Sequence, residues 1–138
     1  REINLIVVHC SATRADRDFT ENDLEVVIGI AEFNGAGYHF YIRKNGDIKK
    51  RGPLEKPGAH ALGYNARSIG ICYEGGLDVR YRPADTRTEW QKHFEGAYPN
   101  VLMDYPGCRV CGHRDLSPDR NGDGRISPEE WVKECTLF

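Results

Sequence analysis

The chain has 138 residues, 39% of them hydrophobic, which is enough for one domain with a core of its own. A formal net charge of −2 argues against a nucleic-acid binder held by a basic face, and no apolar run approaches the length that crosses a bilayer. Five cysteines are too sparse for a secreted disulfide scaffold, and their odd number leaves at least one thiol outside any pairing.

In chain order, Asn4 to Val8 is an apolar, β-branched run that predicts a buried strand, and it delivers His9 to the strand's C-terminal end. Open α/β sheets place their sites at that end. Thr20, with Asp23 three residues on, marks a helix start of the capping-box type. Leu24, Val27, Ile28 and Ala31 then recur at helical spacing, and Gly35 and Gly37 end the helix. His39 to Arg43 reads as a strand. Asn45-Gly46 predicts a type I′ hairpin returning through Asp47 to Lys50. Pro53 to Gly63 is a Gly-, Pro- and Ala-rich loop, and Ser68 to Tyr73 a nearly all-apolar central strand. Gly75 to Arg87 reads as a polar loop, and Thr88 to Tyr98 as a helix with Trp90 and Phe94 one turn apart. A last short strand ends on His113. Helices interleaved with strands, including one hairpin, predict an α/β domain over residues 1–138, with a central mixed sheet flanked by helices.

Two histidines thus follow strands, and Cys135 stands near the C-terminus as a third candidate ligand. Two imidazoles and a thiolate would leave one position of a tetrahedral zinc site open for water, the arrangement of hydrolytic zinc. Taken singly, a histidine is more often a surface or satisfied core group, and a cysteine a small buried hydrophobe. Cys108 and Cys111 are rival thiols close to His113, but three residues apart on a strand they would face opposite sides.

A further metal pattern lies in Asp119-Arg-Asn121-Gly-Asp123-Gly-Arg125-Ile-Ser-Pro-Glu-Glu130. Oxygen donors fall at positions 1, 3, 5, 9 and 12 of a calcium loop, with the Arg125 carbonyl at 7 and glycine at 6. Read without calcium, the same residues make a Gly-rich turn in which Ser127 caps a final helix, Pro128 opens it and Glu130 completes a capping box. Either way, the segment would brace the connection from His113 to Cys135.

Five blocks arrive in a fixed order: Val8-His-Cys-Ser-Ala-Thr13, Gly37-Tyr-His-Phe40, Gly58-Ala-His-Ala-Leu-Gly-Tyr-Asn65, Ser68-Ile-Gly-Ile-Cys72 with Gly75-Gly76, and Gly112-His-Arg-Asp-Leu-Ser-Pro118. In that order they resemble the zinc-dependent N-acetylmuramoyl-L-alanine amidases (type 2 amidases), which share a fold with the peptidoglycan recognition proteins. Among these, the look is that of the amidases that phages of enteric bacteria carry under the name lysozyme. The resemblance runs from about Asn4 to Cys135. It implies zinc held by His9, His113 and Cys135, a catalytic tyrosine at Tyr38, an assisting lysine at Lys133, and a substrate loop presenting His60 and Asn65. His39, on the opposite face from Tyr38, reads as structural.

The chain departs from the family where Cys135 is followed by Thr136 rather than proline, and in an insertion between Pro118 and Cys135. The implied reaction is hydrolysis of the amide between the lactyl group of N-acetylmuramic acid and L-alanine of the stem peptide. It would act on cell wall in periplasm or exterior, on peptidoglycan or muropeptides, as a monomer, with calcium as a possible structural ion. No signal peptide is visible, in a chain that opens on Arg1 rather than methionine. Two other functions stay open: a peptidoglycan-binding module without catalysis, against which Tyr38 and Cys135 speak, and a regulator that binds a polymerase.

Overall fold

A computed structural model describes residues 2–28, 37–61, 63–92, 107–116 and Gly122. Its centre is β1, Leu5–Cys10, buried at every position. Both faces of this strand must therefore be covered, which is why it reads as a continuous apolar run. Ile6, Val8 and Cys10 pack on one side with Ile69, Ile71 and Tyr73; Leu5 and Val7 pack on the other with Cys111.

β1 lies between two parallel partners. β5, Ser68–Tyr73, pairs along its whole length from Leu5↔Ser68 to Cys10↔Tyr73, and β7, Arg109–Gly112, from Leu5↔Arg109 to Val8↔Gly112. β3, Phe40–Ile42, adds to β5 in parallel, and β4, Ile48–Lys50, closes the edge antiparallel to β3. The order is β4-β3-β5-β1-β7, a mixed sheet. A second sheet of two short parallel strands, β2 (Thr13–Arg14) and β6 (Gly76–Leu77), extends beyond the ends of β1 and β5. The polar loop expected over Gly75 to Arg87 therefore contains a strand. Two residues are too few to show an alternating pattern.

The helices begin as their capping residues require. α1 spans Glu21–Ile28, and before it the Thr20 N–H donates to Asp23 Oδ2 (2.9 Å) while the Asp23 N–H donates to Thr20 Oγ1 (3.1 Å). α2, Glu89–Lys92, opens on a second such box, in which the Thr88 N–H donates to Gln91 Oε1 (2.9 Å) and the Gln91 N–H to Thr88 Oγ1 (3.1 Å). Gln91 is fully buried because its amide also donates to the Glu74 and Ile42 carbonyls, latching α2 to the ends of β5 and β3. Trp90, one of the two aromatics that lie a turn apart in the sequence, is 69% exposed, and Gln91 makes the inward contacts of this helix. Phe94 lies outside the described residues, as do Ala31 and Gly35.

The hairpin forms where Asn45-Gly46 places it, with a different turn. Of these two residues only Gly46 has a positive φ (92°), whereas a type I′ turn needs it at both central positions. The Gly46 N–H bonds to the Arg43 carbonyl and the Arg43 N–H to the Asp47 carbonyl, which encloses three residues. This is a type I turn followed by a glycine bulge, the next commonest solution for a hairpin.

Behind it, Glu74, whose side chain is inaccessible, ties three segments together. Oε1 accepts from Arg43 Nε (2.7 Å) and the Lys44 N–H (2.9 Å), and Oε2 from the Phe19 N–H (2.6 Å). The carboxylate holds the Arg43 guanidinium above its ordinary pKa. Among the described residues no helix is long and apolar enough to cross a membrane.

Candidate active site

Side chains alternate along a strand, so His9 shares a face with Leu5 and Val7, and by register with Cys72 on β5. That face is covered by Leu24 of α1, Tyr38 and Tyr41, which form one cluster with Cys72. His9 is completely buried among them. The Tyr38 ring stands 5.0 Å from the His9 ring, centroid to centroid, and 6.3 Å from that of His60. Tyr38 lies just before β3, in a bend rather than in the strand, while the nearby Tyr41 is the structural tyrosine. Tyr41 is fully buried, and its hydroxyl donates to the Phe19 carbonyl at 2.7 Å.

The face of β5 that points toward this site carries Ser68, Gly70 and Cys72, small residues at period two. His60 occupies the room they leave. A Cβ at Gly70 would stand 2.6 Å from the His60 ring, so only glycine allows the imidazole to lie there. His60 Nδ1 lies 3.0 Å from His9 Nε2, and His60 Nε2 lies 3.2 Å from Ser68 Oγ. The segment is fastened by Asn65, whose Oδ1 accepts the backbone N–H groups of both His60 and Ala61 at 2.9 Å.

Both ring nitrogens of His60 thus lie within hydrogen-bond distance of protein groups, His9 Nε2 and Ser68 Oγ. The Asn65 carbonyl oxygen is likewise used internally. His39 behaves as expected of a structural group. Its Nδ1 accepts the Gly70 N–H (3.0 Å), which makes Nε2 the donor to the Lys56 carbonyl (2.8 Å).

The second expected histidine is placed by backbone alone. Val8 pairs with Gly112, so His9 and His113 are the residues that follow the last pair between β1 and β7. His113 opens a short 3-10 turn, His113–Leu116, whose start is capped by Asp115 Oδ2 accepting the Gly112 N–H at 2.8 Å. Cys108 and Cys111 do lie on opposite faces: Cys108 packs with Ile6 and Val8, Cys111 with Leu5 and Val7. Burial pushes both thiols up in pKa. Lys133 and Cys135 lie outside the described residues. So do Asp119, Asn121, Asp123, Arg125 and Glu130; within that loop Gly122 alone is described, with φ 72°.

As a test of the implied zinc, a buried imidazole at one strand end, with a second histidine just beyond the end of the neighbouring strand, is donor chemistry that suits zinc. Among the described residues no third histidine, cysteine or carboxylate joins them as a ligand set. The residues present fit two corners of the expected site. The residues that sequence reasoning missed are Ser68 and Gly70. Their signal was small size at alternate positions of an otherwise bulky strand.

Comparison with known proteins agrees with this geometry. The model of the family described as N-acetylmuramoyl-L-alanine amidase matches residues 1–125, a span that stops short of Lys133 and Cys135. The endolysin of Enterobacteria phage K11 is 30% identical over 138 residues, covering 99% of this chain and 90% of its own. Among solved structures, the N-acetylmuramoyl-L-alanine amidase LysC of Clostridium intestinale URNW superposes with a TM-score of 0.69 at 28% identity, covering 94% of this chain and 81% of its own. Drosophila PGRP-LB shares the fold, with a TM-score of 0.62 at 21% identity, over 83% of this chain and 71% of its own. Family match, related sequence and fold converge, and this chain belongs to the N-acetylmuramoyl-L-alanine amidase family.

Proposed function

We propose that this protein is a zinc-dependent amidase that hydrolyses the bond between the lactyl group of N-acetylmuramic acid and L-alanine of the stem peptide. Family membership supports a hydrolase acting on peptidoglycan. The observation that carries the finer reading is the buried His9 at the end of the central strand, with Tyr38 packed against it at 5.0 Å and His113 just after the end of β7.

His9, His113 and Cys135 would hold the metal. Zinc so held supplies Lewis acidity toward a carbonyl and an activated water near neutral pH. A thiolate ligand lowers the net charge of such a site, so protein donors must help the developing oxyanion. The Tyr38 phenol would donate a hydrogen bond or pass a proton at its Oη, with Lys133 as an assisting cation. The buried setting of His9 and Tyr38 keeps bulk water from competing for those hydrogen bonds.

Calcium at Asp119, Asn121, Asp123, Arg125 and Glu130 is proposed as a structural ion, on the sequence pattern alone.

The test is incubation with purified peptidoglycan. Peptides with a newly freed L-alanine amino terminus should appear, disappear on treatment with a strong chelator, and return with zinc. Binding to peptidoglycan with no peptide released at any metal content would leave a binding module instead. Metal analysis assigns the ligands: Cys135→Ala should lose zinc, and full retention would return attention to Cys108 and Cys111.

A further inference from the structure

The interior arrangement around His60 is more specific than packing requires. A buried imidazole could be satisfied by backbone, as His39 is. Instead, the His60 ring bridges Ser68 at the start of β5 and His9 at the end of β1, lying over the gap that Gly70 leaves between them. Asn65 clamps the backbone on both sides of it, so the ring is held at its base as well as at both nitrogens.

The geometry points to His60 as a positioning residue that fixes the tautomer and orientation of His9 for metal, an inference that rests on the zinc reading above. The argument is one of proton accounting. His9 Nε2 is turned to His60, so the ring nitrogen that would take the metal is Nδ1. A neutral imidazole that ligates through Nδ1 carries its proton on Nε2. That proton is donated to His60 Nδ1, which must then be the acceptor, so the proton of neutral His60 sits on Nε2 and is donated to Ser68 Oγ. The chain Ser68–His60–His9 has one consistent direction with metal bound, and the reverse direction places a proton on the ligating nitrogen.

A donor-orienting partner behind a metal-bound imidazole is usually a carboxylate or a carbonyl. Here an imidazole takes that place, and being neutral it adds no charge to a site already carrying a thiolate. His60 is accordingly not a catalytic residue.

The experiment compares zinc affinity, by competition with a chromophoric chelator, in wild type, His60→Ala, His60→Asn and Ser68→Ala. The asparagine side-chain oxygen falls near the position of the lost Nδ1 and can accept from His9 Nε2. His60→Ala should bind zinc 10- to 100-fold more weakly, the usual cost of losing such a partner. His60→Asn should recover most of that loss, and Ser68→Ala should shift affinity the same way by less. Rescue by the asparagine oxygen is what a packing defect at this position would not show. Nitrogen-15 shifts of the histidines in zinc-loaded wild type should place protons on Nε2 of both His9 and His60.

Zinc-binding wild type with an unchanged His60→Ala, an Asn variant no better than Ala, or ligation of His9 through Nε2 would each overturn the inference while leaving the amidase reading in place. Wild type that binds no zinc would remove the site reading itself. Should the alanine variant fail to fold, His60→Asn and the nitrogen shifts still decide.

Discussion

At the scale of single residues, the catalytic role proposed for Tyr38 and its packing role fall on one side chain. It belongs to the apolar cluster of Leu24, Tyr41 and Cys72, yet its ring also faces His9 and His60. The two roles separate on removal of the hydroxyl alone. Tyr38→Phe keeps the ring in the cluster, so melting temperature and zinc content should stay at wild-type values, while turnover on peptidoglycan fragments falls roughly 100-fold or more. Lys133→Ala should cost less, because a flexible lysine is a weaker preorganised donor. Near-native turnover in Tyr38→Phe would reduce the phenol to a packing group.

The positions of His9, Tyr38 and His60 were legible in the sequence, since each stands in a short block with its own flanking residues. The inward placement of the His60 ring was not. Its contact with His9 spans 51 residues of chain, and only the tertiary placement over Gly70 shows that the ring faces inward.

At the scale of elements, signals confined to one turn were the most readable. Thr20 and Asp23 marked the start of α1, and the structure closes that box as the spacing required. The hairpin was readable in place but not in turn type, because Asn-Gly is compatible with more than one loop length. The two-residue strands β2 and β6 left no periodicity to detect.

The two capping boxes differ in one respect that makes a pH test. Asp23 closes the first with a carboxylate, whose pKa is lowered from 3.8 by the hydrogen bond from the Thr20 backbone, whereas Gln91 closes the second with a neutral amide. A carboxyl whose folded pKa is depressed adds stability above its unfolded pKa and loses it as pH falls through the folded value. Asp23→Ala should therefore be less stable than wild type in denaturant titrations at pH 7, with the gap closing below about pH 3.8. Thr20→Ala should cost about 1 kcal/mol at pH 7, the usual value of a lost cap. A gap for Asp23→Ala that persists unchanged at pH 3 would mean that the carboxylate charge plays no part in the cap.

At the scale of the whole molecule, the strand order puts the site together. Nothing local indicated that β1 would lie between β5 and β7, yet that order brings His9 beside His113 and sets His60 across from β5. The third proposed ligand has to be carried back to the same place by the chain after His113, through the segment Asp119 to Glu130 that fits a calcium loop. If calcium binds there, it braces this connection and does not touch substrate, so it should raise the melting temperature and leave the chemical step unchanged. Binding to the folded state alone stabilises by RT ln(1 + [L]/Kd), about 2.7 kcal/mol at a hundredfold excess over Kd. Asp123→Ala should abolish the calcium-dependent part of that stability and, at limiting zinc, weaken zinc retention, since Cys135 is then delivered by a looser segment. The measurement needs zinc-loaded protein and a chelator selective for calcium, because an unselective one strips both ions. A melting temperature indifferent to millimolar calcium would favour the reading without calcium, a Gly-rich turn with Ser127 as the cap of an expected final helix.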